Sequence, residues 1–527
     1  MPEAHTILRG GTIVDGAGSE PREADLAMRG SIIEAVGTIV AEPEDTVIDV
    51  TGRYLLPGFI DAHSHADAAV FSTDVQRGLL RQGVTTVIAG QDGVSYAPGD
   101  GAYATEYFGA LNGRHPTYGG GGVAELLASY DEATPVNVGY LVPAGTVRHE
   151  IRGYSPGSST PAEIAAMCEL VATGLEEGAL GLSTGLDYVP NIHADTAELT
   201  ALCRPVAAAG AIYVTHMRGG YEDDSRIGID EASEIALATG VSVHVSHYHG
   251  PSDLLINLAD GMASRGIDMS FDAYPYRRGC TLLAMPLLPP SLLSGPRAEL
   301  VTTLRDPVVR ANLLNGWFPS LDSNPKMGPE WPDNLTLAHI AAPEYDWAHG
   351  LTVRAAASRV ARDPASFTLE LLAASSLEVS AVMKVLHQRP YDDLAKLFMH
   401  SSHVAGSDGI YLGAHPHPRA WGTFAKYLRL FTRERRDYNW AEAAVHLSGR
   451  AAQRFCLSDR GRLWPGYAAD VAVVDPALVS DEADYDAPRT DAIGIDDVFV
   501  GGQSVLAGGQ LTGATSGRGL RRSAPVK

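Results

Sequence analysis

The sequence has few cysteines, no long apolar run and no excess of basic residues, and each shortage excludes a class of protein. The 527-residue chain holds four cysteines without a Cys-x-x-Cys pair, so we expect reduced, mostly buried thiols in a cytoplasmic protein. No segment approaches the roughly 20 apolar residues that cross a bilayer, and the N-terminus lacks the pattern of a secretory signal. A net charge of −23 leaves no basic face for nucleic acid. We therefore expect no membrane or nucleic-acid partner, and the oligomeric state stays open.

The middle of the chain alternates apolar, strand-like runs with helical segments. Helical spacing of apolar residues marks 162–177, 196–209, 229–239 and 253–264. The predicted strands are Gly58–His63, Val84–Gly90, Val136–Val142, Ala179–Thr184, Ile212–Met217, Val241–His247, Asp268–Ala273 and His403–Ser407. Alternating strands and helices favour a parallel sheet, and eight such strands predict a closed (β/α)8 TIM barrel, an α/β fold.

Two regions depart from this alternation. Residues 276–402 separate the last two predicted strands, which is too long for a bare loop, so we predict an inserted helical subdomain at about residues 280–400. Both chain ends are rich in short β-like runs with glycine turns, and they predict one small β-sandwich. The predicted boundaries are 1–55 and 461–527 for the sandwich and 56–460 for the barrel.

Two histidines, His63 and His65, follow the apolar run from Leu55 to Ile60. Side chains two residues apart on a strand point to the same face, so both imidazoles leave the predicted strand side by side. Neutral imidazole is a preferred zinc ligand. The pair alone is a weak signal, because two unrelated surface histidines give the same pattern.

Further polar residues occur at the ends of other predicted strands. Asp92 follows the second strand, His216 lies in the fifth, His247 ends the sixth and Asp408 follows the eighth. The carboxyl ends of barrel strands share one face, which is where active sites of such barrels lie. Each histidine alone could be an ordinary core residue. Together the positions predict a metal site formed by His63, His65, Asp92, His216, His247 and Asp408.

Such a site indicates hydrolysis. A divalent ion, one or two Zn²⁺ or another metal, lowers the pKa of a bound water enough to give hydroxide at neutral pH. Asp408 would take the proton of this water and later deliver it to a leaving amine. We expect His63 and His65 at one metal position and His216 and His247 at another. Asp92 would bridge the two or belong to the second.

Several stretches resemble the amidohydrolase superfamily, and within it the N-acyl-D-amino-acid deacylases. They are PGFIDAHSHAD, GLSTGLDYVP, THMRGG, VSHYHG, FDAYPY, and GSDG followed by HPRAWGTF, and with the terminal PGYAADVAVVDP they cover nearly the whole chain. The resemblance implies a (β/α)8 barrel with a small β-sandwich and a metal site, usually zinc. It also implies a small-molecule substrate, an N-acyl-D-amino acid, whose amide bond is hydrolysed.

The resemblance also implies substrate-binding residues. Arg419 in the HPR triplet matches an arginine that binds the substrate's α-carboxylate, a planar group that a guanidinium can bond at both oxygens. Tyr188 in GLDYVP and Tyr274 in YPY match tyrosines that assist there. The alternatives are a surface salt bridge for Arg419 and ordinary packing for the tyrosines.

The chain departs from the family pattern at two positions. Asp92 stands where many members have a cysteine; a carboxylate is a harder ligand, so the metal would exchange more freely, or Asp92 is only a turn residue. His249 stands where deacylases often carry a lysine near the substrate carboxylate, which implies weaker carboxylate binding. Residues 183–185 at the end of the fourth strand offer no lysine, so a carboxylated bridging lysine is not expected.

Three functions remain open from the sequence. The leading hypothesis is a metal-dependent hydrolase of N-acyl-D-amino acids. The departures at Asp92 and His249 also allow a cyclic amide or a D-dipeptide as the substrate. A non-catalytic barrel scaffold would require loss of the predicted ligands, and all of them are present.

Overall fold

The structure is a computed structural model that describes residues 4–219, 221–324, 327–385 and 388–522. Residues 1–3 and 523–527 at the ends of the predicted sandwich segments lie outside the described residues. So do Gly220 in THMRGG and residues 325, 326, 386 and 387 of the predicted insertion.

The strands of the described chain belong to three sheets. In chain order they are β1 (Thr6–Ile13), β2 (Arg22–Arg29), β3 (Ile32–Gly37), β4 (Thr46–Asp49), β5 (Tyr54–Pro57), β6 (Phe59–Asp61), β7 (Val84–Ala89), β8 (Asn137–Pro143), β9 (Gly181–Gly185), β10 (Ile212–His216), β11 (Ser242–Val245), β12 (Met269–Ala273), β13 (Arg278–Leu282), β14 (Leu335–Ile340), β15 (Val379–Lys384), β16 (His403–Ala405), β17 (Val471–Val474), β18 (Ile495–Val500), β19 (Gln503–Ala507), β20 (Gln510–Leu511) and β21 (Gly519–Leu520).

The helices lie between these strands. In chain order they are α1 (Thr73–Leu80), α2 (Ala102–Tyr107), α3 (Gly109–Asn112), α4 (Val123–Ala128), α5 (Ala144–Arg152), α6 (Pro161–Glu176), α7 (Thr196–Ala208), α8 (Ser225–Thr239), α9 (Ser252–Ser264), α10 (Ala284–Leu287), α11 (Arg297–Arg305), α12 (Pro307–Asn312), α13 (Phe318–Asp322), α14 (Trp331–Asn334), α15 (Val353–Arg359), α16 (Pro364–Ala374), α17 (Tyr391–Phe398), α18 (Arg419–Lys426), α19 (Trp440–Ala444) and α20 (Arg450–Arg454). Short 3₁₀ segments occur at Ala69–Phe71, Gln91–Gly93, Asn191–His193, Glu222–Asp224 and Pro343–Ala348. Segments of π-helix occur at Leu313–Trp317, Tyr427–Glu434 and Val445–Gly449.

Eight parallel strands form the barrel in the order β6-β7-β8-β9-β10-β11-β12-β16. Three backbone hydrogen bonds join the end of the last strand to that of the first. Ala62 N–H donates to the Ala405 carbonyl at 3.2 Å, Asp408 N–H to the His63 carbonyl at 2.8 Å, and His65 N–H to the Gly409 carbonyl at 3.0 Å. The predicted (β/α)8 barrel is confirmed. Its strands and helices begin and end within a few residues of the predicted positions.

The apolar run before His63 forms two short strands where the sequence predicted one. Leu55 and Leu56 lie in β5 and pair with β17, whereas Phe59 begins the barrel strand β6. Gly58 connects them, and a Cβ there would lie 2.2 Å from Thr85 Oγ1, so a larger residue does not fit. Because both strands are buried on both faces, the run of apolar residues does not show where the chain leaves one sheet and enters the other.

Both chain ends contribute strands to one nine-stranded sheet. Its order is β20-β19-β18-β17-β5-β1-β2-β3, with β4 paired to β1. Leu8, Leu26, Val471 and Phe499 are part of its buried apolar core. The segment after this sheet returns to the barrel, where β21 pairs with β8, a contact that the sequence did not predict.

The insertion between β12 and α17 contains a sheet as well as helices. Strands β13, β15 and β14 pair antiparallel, and helices α10–α16 pack around a separate core that includes Leu283, Phe318, Trp331 and Leu369. The prediction of a helical subdomain was therefore incomplete. The first four residues of β15 are buried, so this strand lacks the polar–apolar alternation that would have identified it.

A long connection between β17 and β18, here named the arm (residues 475–494), lies along helix α18 and the segment after it. Arg429 Nε donates to Asp481 Oδ1 at 2.6 Å, and the Arg489 guanidinium lies 5.2 Å from the centre of the Trp421 ring. Through the arm, the sheet formed by the chain ends contacts the mouth of the barrel.

No helix in the described part of the chain is long and apolar enough to cross a bilayer. The four cysteines are unpaired, as expected. Only Cys203 is buried, Cys168 and Cys280 are half-buried and Cys456 is exposed, so the expectation of mostly buried thiols was wrong.

A buried ion pair joins two barrel helices and yields a stability prediction. Arg148 of α5 and Glu198 of α7 are both buried, and the guanidinium bonds both carboxylate oxygens. Removing one partner leaves the other charge buried and alone, so Arg148→Met should lower the free energy of unfolding by about 3–5 kcal/mol. Urea denaturation followed by circular dichroism measures the change. Arg518→Met, which breaks the exposed pair with Glu132, is the matched control and should cost less than about 1 kcal/mol. Equal urea midpoints for the two variants would show that the Arg148–Glu198 pair does not have this stabilising role.

Candidate metal centre

The Asp92 carboxylate lies among the four predicted imidazoles at the carboxyl end of the barrel strands. Its Oδ1 is 3.7 Å from His63 Nε2 and 3.7 Å from His247 Nε2. Its Oδ2 is 3.6 Å from His65 Nε2 and 3.9 Å from His216 Nδ1. The barrel thus gathers these residues from β6, β7, β10 and β11 into one cluster, as the strand-end argument predicted.

Asp408 adds a second carboxylate on the side of His65. Its Oδ1 lies 3.4 Å from His65 Nε2 and 3.8 Å from His63 Nε2. Two sets of donor atoms lie within 4.8 Å of one another: His63 with Asp92 and His247, and His63 with His65 and Asp408. This grouping differs from the predicted pairing of His216 with His247 at a second metal position, because His63 belongs to both sets.

Three residues of the cluster have a left-handed backbone. The φ angles are 56° at Asp92, 34° at His247 and 49° at Asp408. Residues other than glycine rarely adopt such angles, which cost of order 1–3 kcal/mol and persist where surrounding contacts impose them. All three follow barrel strands, so the strand-end turns direct these side chains into the cluster at the expense of local strain.

A buried carboxylate, Asp61, fixes the junction between the first and last barrel strands. Its Oδ1 accepts the Ser407 N–H at 2.7 Å, and its Oδ2 accepts the Ser407 hydroxyl at 2.5 Å. Burial raises the pKa of Asp61 to about 7 despite these bonds. The junction places His63, His65 and Asp408 beside one another.

Three residues that the sequence did not single out contact imidazole nitrogens that point away from the cluster, one each on His63, His65 and His216. Asp272 Oδ2 lies 3.4 Å from His63 Nδ1, and Asp187 Oδ2 lies 3.4 Å from His216 Nε2. Asn112 Oδ1 lies 3.1 Å from His65 Nδ1. Each of these oxygens only accepts, so each imidazole donates outward and presents a bare nitrogen to the cluster.

Asp272 has the most contacts among these partners. Besides His63, its carboxylate accepts the His247 N–H at 2.8 Å and lies 3.1 Å from His244 Nε2. Burial opposes ionisation, but His63 and His244 hold the pKa of Asp272 well below its usual value. Asp272 belongs to the FDAYPY stretch at the carboxyl end of the seventh barrel strand, so the rule that identified Asp408 could have identified it.

The inward-facing atoms fit a bound cation. His63 Nε2 and Asp92 Oδ1 are buried and have no hydrogen-bond partner in the described chain. His216 Nδ1 and His247 Nε2 lie 3.0 Å apart. Buried acceptors without a partner, such as His63 Nε2 and Asp92 Oδ1, cost free energy unless a proton or a metal ion satisfies them. A set of imidazoles and carboxylates suits zinc and other borderline divalent ions.

The electrostatics of the cluster support the same conclusion. Burial lowers the pKa of His63 and His65, but nearby carboxylates outweigh it and raise the two values to about 8 and about 10. Burial acts in the opposite direction on Asp92, yet the imidazoles, His63 foremost, hold its pKa well below the usual value. The cluster therefore favours positive charge at its centre, which a metal ion can supply.

Arg419, which the resemblance assigns to substrate binding, lies beside this cluster. It is fully buried at the start of α18, and one terminal nitrogen lies 2.8 Å from Asp408 Oδ2. Its Nε and Nη1 have no hydrogen-bond partner in the described chain. The guanidinium lies 4.6 Å from the centre of the Tyr274 ring. The Tyr188 ring lies 5.0 Å from that of His216.

His249 contacts His247 and Tyr221. Its Nδ1 donates to the His247 carbonyl at 2.7 Å, and its ring stacks on Tyr221 with 4.6 Å between centres. Burial, and then the charge of His247, lowers the pKa of His249 to about 3. Its imidazole is therefore neutral and does not replace the charge of a lysine.

Comparison with known proteins is consistent with this site. The model of the amidohydrolase family matches residues 46–314 and 328–506. The chain is 32% identical to a D-aminoacylase of Alcaligenes xylosoxydans xylosoxydans, with 98% of each chain covered, and 31% identical to an N-acyl-D-glutamate deacylase of the same organism, with 99% of this chain and 97% of the relative covered.

A solved structure is similar over the whole length. It is the N-acyl-D-glutamate deacylase of Bordetella bronchiseptica, complexed with zinc and a phosphonate inhibitor that mimics the tetrahedral intermediate. The TM-score is 0.82 at 28% identity, with 98% of this chain and 100% of that chain covered. The chain therefore belongs to the amidohydrolase family, in its N-acyl-D-amino-acid deacylase branch.

Proposed function

We propose that this metal-dependent amide hydrolase cleaves N-acyl-D-amino acids into a carboxylic acid and a D-amino acid. The observation that carries the proposal is the position of Asp408, whose two oxygens face His65 and Arg419. One carboxylate thus joins the metal cluster to a guanidinium that can bind a carboxylate. The names of the similar proteins support the D configuration.

The proposed metal is Zn²⁺, with His63, His65, Asp92, His216, His247 and Asp408 as its ligands. A bound divalent ion supplies Lewis acidity at the scissile carbonyl and lowers the pKa of a bound water. Asp272, Asp187 and Asn112 keep the imidazoles oriented. The solved relative contains zinc, which supports this choice.

Asp408 is proposed as the general base and acid. Burial raises its pKa, but Arg419 and the imidazoles outweigh burial and hold the pKa below its usual value. The carboxylate is therefore ionised at neutral pH and can accept a proton from the attacking water. As the C–N bond breaks, Asp408 returns this proton to the leaving nitrogen, which departs as the amine of the D-amino acid.

Arg419 is proposed to bind the α-carboxylate of the substrate. Two of its buried nitrogens have no partner in the described chain, and a planar carboxylate can satisfy a guanidinium through two parallel bonds. Tyr274 lies against the guanidinium face, and Tyr188 lies beside His216, so both are proposed to contact the substrate. His249 is proposed as an uncharged residue that contacts the substrate.

A substrate panel tests the proposed function. Zinc-loaded protein should hydrolyse N-acetyl-D-amino acids and leave the L enantiomers nearly untouched, as the similarity to a D-aminoacylase and an N-acyl-D-glutamate deacylase suggests. Release of amine measures turnover. No turnover of any D substrate over a broad range of side chains would contradict the proposal. Ring opening of cyclic amides, without activity on linear compounds, would favour the alternative substrate class.

Substitution of the general base gives a second prediction. Asp408→Asn should fold and keep its metal but lose at least about 10²-fold in kcat, the usual size of a proton-transfer contribution. Metal analysis and circular dichroism should match the wild type. Near-normal kcat in a metal-replete Asp408→Asn protein would show that another group moves the proton.

The carboxylate in place of the family cysteine gives a third prediction. Asp92→Cys should slow the release of zinc to a chelator, because thiolate is a softer ligand that zinc binds strongly. Asp92→Ala is the matched comparison and should release zinc faster than the wild type. Zinc release is followed with a metal-sensitive dye after chelator is added. Equal release from all three proteins would mean that Asp92 is not a ligand.

A further inference from the structure

A buried histidine outside the metal cluster, His417, lies two residues before Arg419. It is fully buried. Its Nδ1 accepts the Arg419 N–H at 3.0 Å, and its Nε2 lies 3.0 Å from the Arg278 carbonyl oxygen. A carbonyl oxygen only accepts, so the proton is on Nε2, and both ring nitrogens are used by backbone groups.

The bond to Arg419 replaces a missing helix cap. Arg419 is the first residue of α18, and the first N–H groups of a helix have no partner within it. The residue at the N-cap position is Pro418, whose side chain has no polar atom and makes no capping bond. The imidazole of His417 supplies the acceptor that the proline cannot, and it does so at the backbone of Arg419 itself.

Three separate parts of the fold meet at this imidazole. Arg278 belongs to β13 of the insertion and Arg419 to α18 of the barrel. Tyr485 belongs to the arm, and its ring meets that of His417 edge-on with 5.2 Å between centres. The Arg278 guanidinium lies 3.9 Å from the centre of the Tyr485 ring, and the Tyr485 carbonyl accepts from His415 Nε2 at 2.8 Å.

Arg419 depends on this support because its guanidinium has few partners. One terminal nitrogen lies near Asp408, and the Tyr274 ring covers one face. The other buried nitrogens have no bond in the described chain that fixes their direction. Burial, and then the charge of Arg419, holds the pKa of His417 well below its usual value, which keeps the imidazole an acceptor at Nδ1.

We propose that His417 is a positioning residue that sets Arg419 for the substrate carboxylate and couples this subsite to the insertion and the arm. The inference rests on the proposed function of Arg419. It assigns the arm, which connects two strands of the sheet built by the chain ends, a place in substrate recognition. His417 lies outside the metal cluster and acts through Arg419.

Kinetics of His417→Phe test this role. Phenylalanine keeps an aromatic ring but removes both nitrogens, so the KM for the best N-acyl-D-amino acid should rise at least about tenfold while kcat stays within about threefold. In an Arg419→Met background the same substitution should change kcat/KM by less than about twofold, because the residue through which it acts is gone. His417→Asn should recover part of the loss, since its amide oxygen can accept the Arg419 N–H.

A matched control separates positioning from general packing. His115 is another buried histidine whose Nδ1 accepts a backbone N–H, that of Tyr118 at 2.9 Å, and it makes no contact with Arg419. His115→Phe should leave KM within about twofold of the wild type. An unchanged KM in His417→Phe, an equal loss in the Arg419→Met background, or an equal KM rise in His115→Phe would each overturn the proposal.

Crystal structures supply a readout that is independent of any substrate. In His417→Phe, or in His417→Asn if the first variant does not fold, the Arg419 guanidinium should move away from Asp408 relative to the wild type. An unmoved guanidinium would overturn the positioning role. A wild-type enzyme without activity on D substrates would instead refute the proposed function and leave the structural comparison valid.

Discussion

The site depends on one electrostatic constraint: two buried carboxylates face inward-pointing nitrogens of four histidines. Asp92 lies within 4 Å of all four imidazoles, and Asp408 faces two of them. Buried charges and unpaired acceptors of this kind need a compensating cation. The cluster, the strained strand ends and the outer hydrogen bonds are all explained by such an ion.

Barrel closure produces this cluster from distant parts of the sequence. Asp61 clamps Ser407, and the paired ends of β6 and β16 place His63 next to Asp408. Parallel strands then add Asp92, His216 and His247 from the same edge. Asp408 lies between the two groups of the proposed site: one oxygen faces His65 of the cluster, and the other faces Arg419, the proposed ligand of the substrate carboxylate.

The sequence was sufficient to predict the barrel and the residues of the cluster, because both follow from strand order and from the shared edge of parallel strands. It was not sufficient for Asp187, which follows β9 outside any helix or strand, or for Asn112, which ends the four-residue helix α3. Neither segment has a periodic pattern that fixes the direction of a side chain. The change of sheet at Gly58 and the strands of the insertion were also missed. In β6 and in the first four residues of β15, burial on both faces removes the alternation that identifies a strand. The proposed role of His417 could not be predicted from the sequence either, since it comes from contacts between three distant segments.

Anomalous diffraction at the zinc edge, on crystals of the zinc-loaded protein, tests the central claim most directly. We expect a peak of anomalous density at about 2.0–2.2 Å from His63 Nε2, His247 Nε2 and an Asp92 oxygen, the usual lengths of zinc bonds to nitrogen and oxygen. A fully loaded crystal with no peak among these atoms, or with its peak elsewhere in the molecule, would contradict it.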